Sequence, residues 1–114
     1  MTPDIDRTLS ALADPTRRAV IDKLRRGPRR ASDLAESTGT SNPAMSRHLR
    51  VLRTAGLVEI RAHHDGSDFR ERFYALAPAP FEQLRGWLEE VEQFWDVQLA
   101  SFKDHVERTR RRKR

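Results

Sequence analysis

With 114 residues, 37% of them apolar, the chain suffices for one compact domain with a modest core that a second subunit would help to cover. It holds no cysteine, which excludes disulfides, thiolate metal sites and thiol catalysis together. Its net charge of +5 is unevenly spread: residues 81–107 carry seven acids against two bases, whereas residues 108–114 carry six bases and no acid. The opening residues lack the basic-then-apolar order of a signal peptide, and no apolar run approaches the length of a membrane span, so a cytoplasmic protein is expected.

The first predicted element is a short helix on which Ile5, Leu9 and Leu12 recur at steps of four and three. The second, "DPTRRAVIDKLRRG", opens with Asp14 as cap and Pro15 in the first turn, and Gly27-Pro28 ends it. Val20, Ile21 and Leu24 point inward. Arg17 and Arg18 begin this helix, where the dipole disfavours cations, which implies a partner for them, either a phosphate or a carboxylate. "ASDLAESTG" then reads as a short helix capped by Ser32 and closed by Gly39 in the left-handed conformation.

The next stretch, "TSNPAMSRHLRVLRTAGLV", holds no acid; none occurs anywhere between Glu36 and Glu59. Projected at roughly 100° per residue, Met45, Leu49 and Leu52 gather on one side. Asn42, Ser46, Arg47, Arg50 and Arg53 gather on another with Pro43. These side chains donate hydrogen bonds and none is anionic, as a surface facing the phosphate-lined major groove requires. The helix begins either after Asn42 as cap or one residue earlier with Ser41 as cap. In both cases free N–H groups near Thr40, Ser41 and Asn42 suit a phosphate. His48, at the edge of the apolar side, reads as packed and hydrogen-bonded.

The period changes after this helix. Val58, Ile60 and Ala62 alternate with Glu59 and Arg61, Asp65-Gly66 signals a tight turn, and "FRERFYAL" follows as a second strand. The helix, Gly-containing turn, helix and hairpin together make a winged helix-turn-helix, mainly α with a small β-hairpin. Arg70 and Arg72 on the returning strand either flank the minor groove or pair with Glu59 or Glu71. His63 and His64 lie on opposite faces of a strand, which argues against a shared metal ion and for phosphate contact, placed at His64, or solvent exposure.

From Pro80 the helical period returns. Leu84, Leu88, Val91, Trp95, Leu99, Phe102 and Val106 follow steps of four and three, and Trp87 and Phe94 widen the stripe. The expected organisation is a DNA-binding domain over 1–79, a dimerisation helix over 80–107 and a basic, disordered tail over 108–114. Dimer contacts are expected from Ile5, Leu9, Leu12, Trp87, Leu88, Val91, Phe94, Trp95, Leu99 and Phe102. The alternative for the long helix is that it folds back to complete the monomer's core.

Residues 5–77 resemble the arsenic-repressor type (ArsR/SmtB) of winged-helix transcription regulators. The likeness rests on "ADPTRR", "DLAE", "AMSRHLRVLRTAGLV" and the strand "RFYAL". The resemblance implies a homodimer that binds an inverted repeat in double-stranded operator DNA, usually as a repressor and often of its own operon. It also implies that Ser41, Asn42, Ser46 and Arg47 make groove contacts and that the first and last helices form the dimer interface. The chain departs from metal-sensing relatives. Arg30 and Ser32 stand where those have a cysteine pair, and Asp96 is followed two residues later by Gln98 rather than His. No metal, cofactor or membrane partner is therefore expected, and no enzyme. The competing readings are a small-molecule sensor on the same scaffold, its effector unknown, and a protein-interaction module whose basic face is incidental.

Overall fold

The computed structural model describes residues 5–64 and 70–112, with the side chains of all but 62–64, 70 and 71. In chain order the elements are α1 (Ile5–Leu12), α2 (Pro15–Leu24), α3 (Ala31–Thr38), α4 (Asn42–Thr54), β1 (Val58–His64), β2 (Arg70–Leu76) and α5 (Pro78–Arg112). They fall into two compact units, Met1–Gln83 and Leu84–Arg114. The expected winged helix-turn-helix is present, with β1 and β2 antiparallel and Val58 opposite Leu76. The Asp65-Gly66 turn lies outside the described residues.

The core of the first unit is built where α2, α3 and α4 converge beneath the base of the hairpin. Val20, Leu34, Met45, Leu52 and Leu57 are fully excluded from solvent. Tyr74, Leu76 and Phe81 cover its margin. On α1 the inward residues are small: Thr8 and Ala11 are buried, whereas Leu9 is 42% exposed and Ile5 only half-buried. The face marked by Ile5 and Leu9 is thus not the one α1 lays on the core, although Leu12 packs partly against it.

Two glycines terminate helices in the same way. Gly39 takes φ 65° after α3 and Gly56 takes φ 77° after α4. In each case the following N–H reaches back to close the helix, from Thr40 to the Ala35 carbonyl at 2.9 Å and from Leu57 to the Leu52 carbonyl at 3.0 Å. The first sets the angle between α3 and α4; the second turns the chain into β1.

Three local expectations need correction. α3 starts at Ala31, so Ser32 lies inside the first turn and is not the cap. Arg30 holds the capping position with no side-chain cap bond. The last helix begins at Pro78 rather than at Pro80, because prolines in a first turn forfeit only N–H groups that have no helical acceptor. It also runs on through Arg112, so residues 108–112 are helical where a disordered tail was expected. Arginine is a good helix former, and cations at a helix C-terminus meet the favourable end of the dipole.

The second unit consists of α5 from Leu84 onward. None of α5 is buried. Leu88, Phe94, Trp95, Leu99 and Phe102 are each at least half exposed.

Candidate nucleic-acid interface

α4 is a helix of 13 residues with a buried and an open side. Met45, Leu49 and Leu52 are sealed against the core, which fixes the helix rotationally. Asn42, Ser46, Arg47, Arg50 and Arg53 are all exposed. Ser41 is the cap: its Oγ accepts the Ala44 N–H at 3.3 Å, and Asn42 is the first helical residue. Of the two starts the sequence allowed, the chain takes the earlier.

Among the described residues, Arg47, Arg50 and Arg53 enter no ion pair; the pairs formed include Asp22–Arg25, Arg30–Asp33, Glu59–Arg61 and Arg85–Glu89. Arg50 and Arg53 instead border an open groove shared with Thr54 and with Val58, Glu59 and Ile60 of β1. Glu59, the acid at its edge, is held by Arg61 at 3.0 Å. The guanidinium groups of α4 therefore face solvent with their charge uncompensated, and a polyanion can take them without displacing an internal partner.

Thr40 differs from its neighbours. It is half-buried, and its hydroxyl lies 3.0 Å from that of Thr38, so it helps to hold the three-residue turn between α3 and α4. On the wing, Arg72 is exposed and stands opposite Ala62, while His64 and Arg70 are backbone partners. The side chains of His64, Arg70 and Glu71 lie outside the described ones. Of the two acids considered for Arg72, Glu59 is taken by Arg61.

Arg17 and Arg18 have partners that are neither phosphate nor carboxylate. Arg17 Nε donates to the Ala11 carbonyl at 2.6 Å, and Arg18 donates to the Leu12 carbonyl at 2.8 Å. The acceptors are the last, unpaired carbonyls of α1, whose negative dipole end lies beside the start of α2. Arg17 also approaches His48 Nδ1 at 3.3 Å, which is the hydrogen bond expected for His48. The signal in the sequence was the brevity of the "AD" joint, which brings one helix end against the next helix start.

This arrangement of α3, a tight turn, an outward basic α4 and a hairpin is matched by known proteins. The family model described as "Bacterial regulatory protein, arsR family" fits residues 14–59. An HTH-type transcriptional regulator of Mycobacterium tuberculosis is 38% identical over 97 residues, 85% of this chain and 83% of that protein. The chain belongs to the ArsR family.

Further similarities extend past the matched segment. The transcriptional repressor SdpR of Bacillus subtilis is 31% identical over 84 residues, covering 74% of this chain and 88% of its own. Among solved structures, an ArsR-like transcriptional regulator from Rhodococcus sp. RHA1 superposes with a TM-score of 0.72 at 30% identity, over 88% of this chain and 90% of that one. A homodimeric winged helix-turn-helix DNA-binding domain from Mycobacterium bovis superposes with a TM-score of 0.57 at 29% identity, over 83% and 81%. ArsR membership makes the chain a DNA-binding regulator of transcription rather than an enzyme. Among the described residues no cluster of three or more His, Asp or Glu side chains is placed to hold a metal ion. No described helix is long and apolar enough to cross a membrane.

Proposed function

We propose that this ArsR-family chain is a homodimeric repressor that acts in the cytoplasm on an inverted-repeat operator, without a metal inducer. The observation that carries the reading is the open side of α4. Arg47, Arg50 and Arg53 are exposed and unpaired among the described residues, and no acid lies between positions 36 and 59. In this reading α4 enters the major groove. Arg47 and Arg50 reach guanine edges or phosphates, and Asn42 and Ser46 read base edges. Arg53 grips the backbone at the far end of the helix, and Ser41 and Thr40 lie where the turn approaches a phosphate. Arg72, with Arg70 and His64, lies beside the neighbouring minor groove.

The dimer reading is supported by the exposed apolar residues of α5 and by Leu9 on α1. It is further supported by the homodimeric state of the Mycobacterium bovis relative. The direction of control follows the Bacillus subtilis relative, a repressor. The test is binding to the DNA immediately upstream of the chain's own gene, titrated against random DNA of equal length at near-physiological salt. A preference of at least ~10³-fold, the lower end for specific binders, establishes a sequence-reading regulator of its own operon. Equal, steeply salt-sensitive affinity for both removes autoregulation from the reading. Unchanged affinity in the Arg47→Ala, Arg50→Ala double variant removes α4 as the recognition helix.

A further inference from the structure

Arg17 stands between two elements that the proposed function assigns to different tasks. Its Nε and Nη2 atoms donate to the Ala11 and Ser10 carbonyls at the end of α1, at 2.6 and 3.4 Å. Its Nη1 lies 3.3 Å from Nδ1 of His48, in the middle of α4. One guanidinium thus spans the joint between the helix read as part of the dimer interface and the helix read as meeting DNA. Its base is fixed as well, since the Arg17 N–H donates to Asp14 Oδ1 at 3.1 Å.

The chemistry of this link has a direction. A guanidinium has only donors, so His48 Nδ1 must offer its lone pair, and the neutral ring carries its proton on Nε2. A second proton on the ring falls on Nδ1 and aims an N–H at Arg17. The contact then becomes two cations facing each other without an acceptor between them. Among the described groups the charged neighbours of this ring are Arg17 and, more weakly, the Asp14 carboxylate, both from the start of α2. Asp14 Oδ1 is already occupied by the Thr16 and Arg17 N–H groups. On α4 itself the adjacent Arg47 is exposed and adds only positive charge.

We infer that Arg17 and His48 are positioning residues for DNA binding: their contact fixes α4 against the end of α1, and protonation of His48 releases it. The inference rests on the reading of α4 as the helix that meets DNA. It predicts a sign opposite to simple electrostatics. Added positive charge on α4 strengthens attraction to phosphate, whereas release from Arg17 lets the recognition helix shift and weakens binding.

The experiment measures affinity for a duplex selected by the protein itself from a randomised pool, at about pH 8 and about pH 5.5, the span in which imidazole is the side chain that changes charge. His48→Asn keeps an acceptor, Oδ1, at the place of Nδ1, and it does not titrate. It should match the wild type at the higher pH and bind about fivefold more tightly at the lower, the affinity equivalent of one modest hydrogen bond. Arg17→Met should bind about fivefold more weakly than wild type at the higher pH on the same reasoning. Adding His48→Asn to it should then change nothing, since the two residues act through one contact. Thermal unfolding of each variant separates altered affinity from lost fold. If His48→Asn tracks the wild type at both pH values, or binds more weakly at the lower, the positioning role is overturned while α4 remains the DNA helix. If Arg50→Ala also leaves affinity unchanged, the reading of α4 falls and takes the positioning role with it.

Discussion

Arg29 and Tyr74 exchange both of their backbone hydrogen bonds, Arg29 N–H to the Tyr74 carbonyl at 3.0 Å and Tyr74 N–H to the Arg29 carbonyl at 2.8 Å. The segment ahead of α3 thereby acts as a one-residue third strand on β2. A two-stranded hairpin alone is marginal in water, so this bridge anchors the base of the wing to the helical body. Arg29→Pro deletes the N–H that makes the 3.0 Å bond. The expected cost is about 1 kcal/mol, the net worth of one hydrogen bond, because Arg29 and Tyr74 are only half-buried. Urea unfolding measures the loss, and hydrogen exchange at the Tyr74 amide should accelerate along with it. An unchanged midpoint and an equally protected amide would mean that the wing is held by other contacts.

Asp14 offers a second test because its cap is also a charge. The Arg17 N–H does most to hold the Asp14 carboxyl below its ordinary value. Burial acts in the opposite sense, and the Thr16 N–H and the charges of Arg17 and His48 add to the lowering. A carboxylate whose folded-state value is depressed stabilises the fold above its unfolded value, and that contribution is lost as pH falls through the folded one. Asp14→Asn keeps an acceptor and removes the charge. It should melt below the wild type at neutral pH, with the gap closing as the pH drops beneath the ordinary carboxylate range. Asp14→Ala should melt lower than Asp14→Asn, because it also removes the acceptor for α2's free N–H groups. Thermal scans across that range decide, and a gap that widens on acidification would contradict the assignment.

Much of the fold was legible because local signals agreed with one another. Asp14-Pro15, Gly39 and the apolar steps of α4 each specify a helix boundary or face by sterics and burial alone, and the alternation from Val58 to Ala62 gave the first strand. What escaped depends on pairings distant in sequence. No pattern around Arg29 announces Tyr74. The carbonyl acceptors of Arg17 and Arg18 exist only once α1 ends beside α2. The face of α1 was visible as a period, but Ile5 and Leu9 do not point into the core, since Thr8 and Ala11 allow the closer approach. Exposure of the α4 arginines could be projected from helical spacing. That Glu59 would be taken by Arg61, leaving them unpaired among the described residues, could not.

The apolar residues of α4 and α5 should respond oppositely to substitution. Leu52 is fully buried, and Leu52→Ala should cost about 2–5 kcal/mol of unfolding free energy. Leu99 and Phe102 are 62% and 66% exposed in the isolated chain. Leu99→Glu with Phe102→Glu should therefore leave the first unit folded, as judged by its amide protection, while shifting sedimentation from dimer towards monomer. The same substitutions in a protein that sediments unchanged would show that the dimer, if formed, does not use this part of α5.

The basic end of α5 calls for a different measurement. Residues 108–114 hold six cations, and the helix carries them as far as Arg112, so Arg108, Arg110, Arg111 and Arg112 project from an ordered scaffold. Three arginines in succession leave successive side chains about 100° apart around the axis, which spreads charge instead of presenting one reading face. Such a surface grips phosphate without regard to sequence. Deleting 108–114 should weaken binding to operator and random DNA by the same factor. The slope of log affinity against log salt should fall by about 0.9 for each phosphate that the shortened chain leaves unneutralised. The ratio between the two affinities should stay fixed, because α4 still reads the bases. Titration of both duplexes at several salt concentrations, with intact and shortened chains, provides the comparison. A weakening confined to the operator would instead give the tail a part in sequence recognition, and an unchanged salt slope would show that it never touches DNA.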